Sequence, residues 1–286
     1  MLMEKYVNPF TDFGFKKLFG TEVNKDILID FLNELLKGKE KIKTLSYKST
    51  EFMGITDLDR KAVFDLYCEN DSGEKFIVEL QKAKQKFFKD RALFYSTFPI
   101  QEQARRGSWD FELKCVYTVA ILDFIFDDDI DYKDKVVFEV KLSELEHKKV
   151  FYDKLTFIYL AMPNFRKQEH ELVTKFDKWL YAIKNLPDLE DRPKALQERI
   201  FKKFFDSAEI AKFSREENQS YEYSLKVYRD LNNVIDTANE EGFNKGMEKG
   251  IELNKIEIVK KMKKLGLSNE IIAETTGLDL ESIRKI

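Results

Sequence analysis

Apolar and polar residues follow a helical pattern first and an extended pattern afterwards. Between residues 24 and 38 most apolar side chains fall on one helical face and Gly38 offers a stop, which predicts a first helix of about 12 residues. From Thr44 to Gln81 the pattern changes to alternation, interrupted by the turn Asn70-Asp71-Ser72-Gly73. Gly73 can adopt a positive φ, so the runs on either side are predicted to form adjacent antiparallel strands.

The pattern that follows predicts a mixed α/β core and then a helical region. Residues 82–107 suit an amphipathic helix that is interrupted or bent near Pro99. The run 115–126 is almost wholly apolar, as a strand buried on both faces is, and two more strands are predicted at 135–140 and 154–162. After Pro163 every periodic segment is helical. The prediction of a helix at 82–107 depends on the apolar residues Phe87, Phe88, Leu93, Phe94 and Phe98.

These patterns divide the chain into three regions. We expect an α/β core at 1–165, a helical extension packed on that core at 166–235, and a helical tail at 236–286. A chain of 286 residues, of which 43% are hydrophobic and 35% charged, is long enough for one large domain with an appendage.

Composition narrows the chemistry to carboxylates. Cys68 and Cys115 each lie in an apolar run, so both are expected to be reduced core residues rather than a disulfide. His147 and His170 lie in charged surroundings, which argues against a histidine-centred triad or a zinc site. No apolar run is long enough to cross a bilayer, and the opening residues lack the apolar stretch of a signal peptide, so a cytoplasmic protein is expected.

Three polar residues on the predicted hairpin form the candidate chemical cluster. Glu79 and Gln81 are two apart on one strand and therefore face the same way, and Asp65 on the neighbouring predicted strand can lie beside them. Mg²⁺ prefers oxygen ligands, and two adjacent carboxylates are costly unless a cation neutralises them. A metal held there would activate water and stabilise charge on a phosphate, which suits phosphodiester hydrolysis. The alternative is that Asp65 and Glu79 form surface ion pairs on exposed strand edges.

Five stretches resemble a known family in their order and content: NPFTDFGFKKLFG, FLNELL, DRKAVFDLYCEN, GEKFIVELQ and FKDRALFYS. Over roughly residues 4–235 the chain resembles the Rpn-type recombination-promoting nucleases, also described as transposases, of the PD-(D/E)XK nuclease superfamily. The resemblance implies a restriction-endonuclease-like mixed sheet flanked by helices, with a helical C-terminal extension. It also implies DNA cleavage that depends on a divalent metal, with Mg²⁺ as the cofactor and Mn²⁺ as a substitute, and a role in recombination or mobile elements.

The resemblance assigns roles to individual residues. Asp65 and Glu79 would hold the metal, and Gln81 would stand where the family has a catalytic lysine. Glutamine is neutral and can only hydrogen-bond, so the departure affects the expected rate of cleavage rather than the geometry of the site. Lys82 or Lys84 is a candidate for the missing charge.

Residues outside the cluster are possible accessories. Asp12 and Lys16 would reach the site from the first helical region, or else form a cap or ion pair that stabilises the fold. Glu34 would add a metal contact, or else face solvent.

A run of basic residues follows the cluster and would bind DNA phosphates, or else form a solvated helix face. Its members are Lys82, Lys84, Lys86, Lys89 and Arg91, with Arg105 and Arg106 further on. The acidic string from Asp127 to Asp131 lacks the glycine and terminal glutamate of an EF-hand loop, so we expect a solvated turn there.

The tail carries two further patterns. Gly242, Gly246 and Gly250 would share one ridge of a helix and favour self-association as a dimer, or else lie in a polar linker. Ser268 and Asp279 are expected N-caps of two short helices joined at Gly277. This pair resembles the first half of a helix-turn-helix, although a small dimerising or docking bundle is the preferred interpretation.

The sequence therefore predicts a metal-dependent DNA endonuclease that hydrolyses phosphodiester bonds. The alternative is a catalytically weak DNA-binding or scaffold protein that retains the fold, which Gln81 and the net charge of −3 support. A transposase that joins DNA ends is disfavoured, because the residues point only to strand cleavage.

Overall fold

A mixed sheet forms the centre of the first part of the chain. The computed structural model describes residues 4–39, 41–52, 62–104 and 110–286. Its strands are β1 (Leu45–Tyr47), β2 (Glu51–Phe52), β3 (Ala62–Val63), β4 (Leu66–Asn70), β5 (Lys75–Gln81), β6 (Val116–Leu122), β7 (Val137–Glu144) and β8 (Lys149–Ala161). Six of these form one sheet in the order β1-β4-β5-β6-β8-β7, and β2 pairs with β3 separately. β5, β6 and β8 run parallel, whereas β1, β4 and β7 are antiparallel to their neighbours.

Helices cover both faces of this sheet. In chain order the α-helices are α1 (Asp12–Phe19), α2 (Lys25–Leu35), α3 (Phe88–Glu102), α4 (Lys175–Asn185), α5 (Arg199–Ala208), α6 (Arg215–Lys264), α7 (Asn269–Thr276) and α8 (Leu280–Lys285), and the last two belong to a separate C-terminal unit. One face of β5, with Val78 and Leu80, belongs to a large core that includes Trp179 and Phe204 from α4 and α5. On the other face, Phe88 of α3 packs with residues of β6 and β8. The mixed α/β fold predicted from the sequence is confirmed.

The chain divides into two compact units, with the boundary between Arg229 and Asp230. In the second unit, Asp230–Ile286, α7 and α8 enclose a small core with Val259, Ile272 and Ile283. The predicted caps are present. Ser268 accepts a hydrogen bond from the backbone of Ile271, Asp279 accepts one from Ser282, and Gly277 has a φ of 68°. Within the described ranges no helix is both long and apolar enough to cross a membrane.

The β4–β5 hairpin is formed as predicted, with Gly73 at a φ of 79°, but other predictions need correction. Asp65 is not on a strand; it lies in a bend immediately before β4. The first helix is α1, directly after the predicted turn chemistry, and it is too short for its periodicity to stand out. The longer α2 ends at Leu35, and Gly38 follows with a φ of 87°.

Helix α3 differs from the amphipathic helix that the pattern predicted. It continues through Pro99 to Glu102 without interruption, and Pro99 is buried. Phe88 is buried, but Phe87, Leu93 and Phe94 are exposed by 64%, 52% and 44%. The apolar residues of this segment therefore do not all face the core.

Gly14 is required by the turn that precedes α1, because no larger residue fits there. Thr11 caps α1 by accepting from the Gly14 amide at 3.0 Å, and the Thr11 hydroxyl donates to the Asn8 carbonyl at 2.7 Å. A Cβ on Gly14 would lie 2.1 Å from that carbonyl oxygen. The turn and the start of α1 thus depend on a close backbone approach that only glycine allows.

Replacing Gly14 with Ala is therefore expected to lower the free energy of unfolding by roughly 1–3 kcal/mol, the usual cost of overpacking. Asn233→Ala is the control, because Asn233 is exposed on helix α6 and helix propensity favours alanine there. Urea unfolding followed by circular dichroism measures both. Equal effects of the two substitutions would contradict the steric explanation.

Candidate metal centre

Glu79 and Gln81 lie on the face of β5 that α3 covers. Both side chains are buried, each with 7% of its surface exposed, while Val78 and Leu80 point to the large core on the opposite face. β5 pairs with β4 on one side and with β6 on the other, so the backbone around Glu79 is fixed from both sides. The register Leu66↔Val78 places Asp65 next to Glu79.

Reciprocal hydrogen bonds hold the two carboxylates together. The amide of Asp65 donates to the Glu79 carboxylate at 3.2 Å, and the amide of Leu80 donates to the Asp65 carboxylate at 2.7 Å. Each side chain is thus oriented by the backbone of the opposite strand. The bend before β4 makes this possible, because it frees the Asp65 amide from the regular ladder.

Burial and proximity make it unfavourable for both carboxyl groups to be ionised at once. Burial raises the pKa of Glu79 to about 8, with a further contribution from the neighbouring Asp65 carboxylate. Burial also raises the pKa of Asp65, although the hydrogen bond from the Leu80 amide opposes the change. Carboxylates are hard oxygen ligands, and a divalent cation would stabilise the ionised forms of both. The donor set therefore fits a metal such as Mg²⁺.

Gln81 makes hydrogen bonds with both ends of its amide. Its Nε2 donates to the carbonyl of Ala83 at 2.7 Å, and its Oε1 accepts from Arg91 of α3. Arg91 also donates to Gln85 at 2.6 Å, and its positive charge lowers the pKa of Glu79. Gln81, a neutral amide, thus holds the guanidinium of Arg91 near Glu79.

A cavity of about 730 Å³ lies between α1 and α6, and Asp12, Lys16 and Lys82 line it. These three charges all act on Asp65, since Asp12 raises its pKa and the two lysines lower it. Asp12 and Lys16 also form an ion pair with each other at 3.1 Å. Asp12 and Lys16 therefore lie near enough to the carboxylate pair to act on Asp65, and they also form the ion pair that was the alternative role considered for them.

Lys82, one of the two lysines proposed to replace the missing charge, lowers the pKa of Asp65. It is half-buried, burial lowers its pKa, and Asp12 and Asp65 oppose that change. Lys84 instead forms an ion pair with Asp127. Among the described contacts none joins Glu34 to the carboxylate pair; Glu34 forms an ion pair with Lys37 one turn later in the sequence, at 3.1 Å.

The predicted basic patch is partly neutralised by the acidic string. Asp127–Asp129 form an exposed turn, and Asp128 accepts from Lys89 at 2.9 Å, so Lys84 and Lys89 both have acidic partners. Lys86 is exposed and lies over the ring of Phe87. Arg105 and Arg106 lie outside the described residues.

A different group of three potential metal ligands occurs at the turn between β7 and β8. In the part of the chain that the structure describes, only Glu144, Glu146 and His147 bring three such side chains together. The Glu144 carboxylate accepts from the amides of Glu146 and His147 and lies 2.8 Å from the His147 ring. These bonds close the turn, and its residues are largely exposed.

Sequence reasoning missed two contributors to the site. It treated Arg91 as a DNA-binding residue alone, and it did not consider Gln85. The spacing of Gln81 and Gln85 in Gln-Lys-Ala-Lys-Gln was the available signal, because two amide oxygens four residues apart can hold one guanidinium.

The site combines a buried carboxylate pair with a mixed sheet flanked by helices, an arrangement that is compatible with a nuclease-type α/β protein. The model of the PD-(D/E)XK nuclease family transposase matches residues 9–238, and the chain belongs to this family. Nucleases of the PD-(D/E)XK type typically use divalent metals. Neither the curated proteins nor the solved structures give a significant match.

Proposed function

We propose that this protein is a metal-dependent DNA endonuclease that hydrolyses phosphodiester bonds, with Asp65 and Glu79 as metal ligands and Mg²⁺ as the cofactor. The observation that carries the proposal is the buried pair of carboxylates, fixed by reciprocal backbone hydrogen bonds. Membership of the family supports a nuclease, and DNA is the substrate that the family implies. Recombination or mobile elements provide the biological setting.

When bound, the metal would supply an activated water and charge stabilisation on the phosphate. The chain's own residues perform the remaining tasks. Asp65 and Glu79 are held in fixed positions by β4 and β5, so no reorganisation is needed when substrate arrives. Arg91, oriented by Gln81 and Gln85, provides positive charge near Glu79, and Lys82 provides it near Asp65, in place of the catalytic lysine that would otherwise offset the developing charge.

The competing proposal is a catalytically weak DNA-binding or scaffold protein. It is favoured by Gln81, because a side-chain amide is neutral and does not titrate, so it supplies neither the positive charge nor the transferable proton of a lysine.

Incubation of supercoiled plasmid and of labelled single-stranded DNA with Mg²⁺, Mn²⁺ or EDTA separates the two proposals. Nicking or linearisation with either metal, abolished by EDTA, is the result expected for the endonuclease. Binding of DNA by the folded protein with no cleavage in either metal would favour the scaffold instead.

The acidic turn gives a prediction about DNA affinity. Asp127→Asn together with Asp128→Asn removes the partners of Lys84 and Lys89, which would then become available to DNA phosphates. We expect tighter DNA binding at low salt, and a plot of log affinity against log salt steeper by about two, since each phosphate contact adds about 0.9. Fluorescence anisotropy over a salt series measures both quantities.

The double substitution Asp131→Asn with Asp134→Asn is the matched control, because it changes the net charge equally in the same exposed loop. An equal gain in affinity from both pairs would show that only net charge matters, and would remove Lys84 and Lys89 from the proposed DNA interface.

We propose further that the protein acts as a dimer through α6. Gly242, Gly246 and Gly250 lie on one ridge, with open space where their Cβ atoms would be, and the neighbouring Phe243 and Met247 are exposed by 69% and 51%. A small-residue ridge beside an apolar ridge suits close packing of a second helix. Sedimentation equilibrium tests this, and a monomer at all concentrations would contradict it.

A further inference from the structure

A second cavity, of about 570 Å³, lies at the start of α3, on the side of the sheet where Glu79 and Gln81 point. Its lining combines aromatic rings with positive charge: Lys86, Phe87, Arg91, Phe94 and Tyr95, together with Asp90. We refer to the first five of these residues as the aromatic groove. Neither the carboxylate chemistry nor the packing of the core accounts for it.

The exposure of its phenylalanines needs an explanation. Phe87 is exposed by 64% and Phe94 by 44%, although both lie in the segment whose pattern predicted burial. Clustered apolar surface exposed to water usually marks a binding site. Two cations and one carboxylate surround these rings, and Lys86 lies over the Phe87 ring with its Nζ 5.3 Å from the centroid. An anionic ligand that carries flat apolar faces would match both features.

Arg91 connects the groove to the carboxylate pair. Its guanidinium lies 5.7 Å from the centroid of Tyr95 within the groove, and it donates to Gln81, two residues from Glu79 on the same face of β5. A strand whose phosphate lay at the carboxylate pair could therefore place its adjoining nucleotides in the groove.

We infer that the aromatic groove binds unpaired nucleotides of DNA beside the scissile phosphate, with bases stacked on Phe87 and Phe94 and phosphates near Lys86 and Arg91. Positively charged grooves with exposed aromatic rings bind single strands in this way, because every base has a π face. The bases of an intact duplex are stacked on one another and cannot use the rings. The inference rests on the proposed function for the identity of the nucleic acid, and it makes single-stranded or frayed DNA the preferred substrate.

Binding in EDTA, where no cleavage occurs, tests this inference. Fluorescence anisotropy would compare labelled oligothymidylate, a hairpin with an unpaired tail and a blunt hairpin. For Phe87→Ala with Phe94→Ala we expect about a tenfold or greater loss of affinity for the first two probes, and none for the blunt hairpin. Phe87→Trp with Phe94→Trp keeps the stacking surface and should restore binding. Phe151→Ala, a residue exposed by 78% on β8, is the matched control.

Three results would overturn the inference: unchanged affinity in the double alanine variant, an equal loss for the blunt hairpin, or no restoration by tryptophan. Dissociation of a wild-type dimer on alanine substitution would also overturn it, since the groove would then be an interface between copies. The outcome does not depend on catalysis. If the protein binds the probes as expected but never cuts DNA, only the proposed function is contradicted. If it cuts DNA and the double alanine substitution does not change binding, only the inference about the aromatic groove is contradicted.

Discussion

Cleavage of plasmid DNA is expected to fall by about a thousandfold or more when Glu79 is replaced by Gln or Asp65 by Asn. Each substitution removes one charged ligand of the proposed metal, and several kcal/mol of charge stabilisation corresponds to a rate factor of about this size. Both replacements keep an oxygen that can accept the existing backbone hydrogen bond, from Asp65 and from Leu80 respectively. The loss should therefore come from metal binding and not from unfolding.

Initial rates of nicking over a range of Mg²⁺ concentrations measure this effect. Asp71→Asn is the control, because Asp71 is an exposed carboxylate in the turn between β4 and β5 and makes no proposed contact with metal or DNA. Circular dichroism establishes that each variant is folded. If Glu79→Gln cut DNA at the wild-type rate, the assignment of the metal site would be wrong, whereas loss of activity in Asp71→Asn as well would indicate a general electrostatic effect.

Stability of the metal-free protein is expected to decrease as the pH rises from about 5 to about 8. Burial raises the pKa of Glu79 to about 8 in the folded state, whereas an unfolded glutamate titrates near pH 4.3. The folded state therefore binds more protons than the unfolded state across this window, so stability is lost as pH increases. The raised pKa of Asp65 acts in the same direction. The loss is on the order of a few kcal/mol.

Thermal unfolding of the wild type and of Glu79→Gln at several pH values isolates this contribution, because other titrating groups cancel in the difference. We expect the variant to show the flatter dependence and to be the more stable of the two near pH 8 without metal. Addition of Mg²⁺ should raise the melting temperature of the wild type much more than that of the variant. Parallel pH curves for the two proteins would show that the carboxylate pair is not under strain.

Local patterns predicted those parts of the molecule that depend on neighbouring residues. Gly73 closed the hairpin as expected, and Ser268 and Asp279 cap the helices of the tail. The common orientation of Glu79 and Gln81 also follows from alternation along one strand. Each of these features is decided within a few residues, so the sequence alone was enough.

Other features depend on contacts between distant segments and could not be predicted. The order β1-β4-β5-β6-β8-β7 results from pairings such as Glu79 with Ala120, which no periodicity encodes. The exposure of Phe87 and Phe94 was missed because an apolar residue in a helical pattern is usually buried. The bend at Asp65 was missed because its amide bonds to a side chain of β5 and leaves no local signal.

The register of the β4–β5 hairpin constrains how the length of this chain can vary in evolution. Leu66 faces Val78 and Glu69 faces Lys75, so Asp65 meets Glu79 and Leu80 only while the number of residues in each strand is unchanged. One extra residue inside either strand would turn the following side chains to the opposite face. Residues added at the tip, between Asp71 and Gly73, would leave this ladder intact. Relatives that keep the activity should therefore differ in length at the tip of the hairpin and not along its strands.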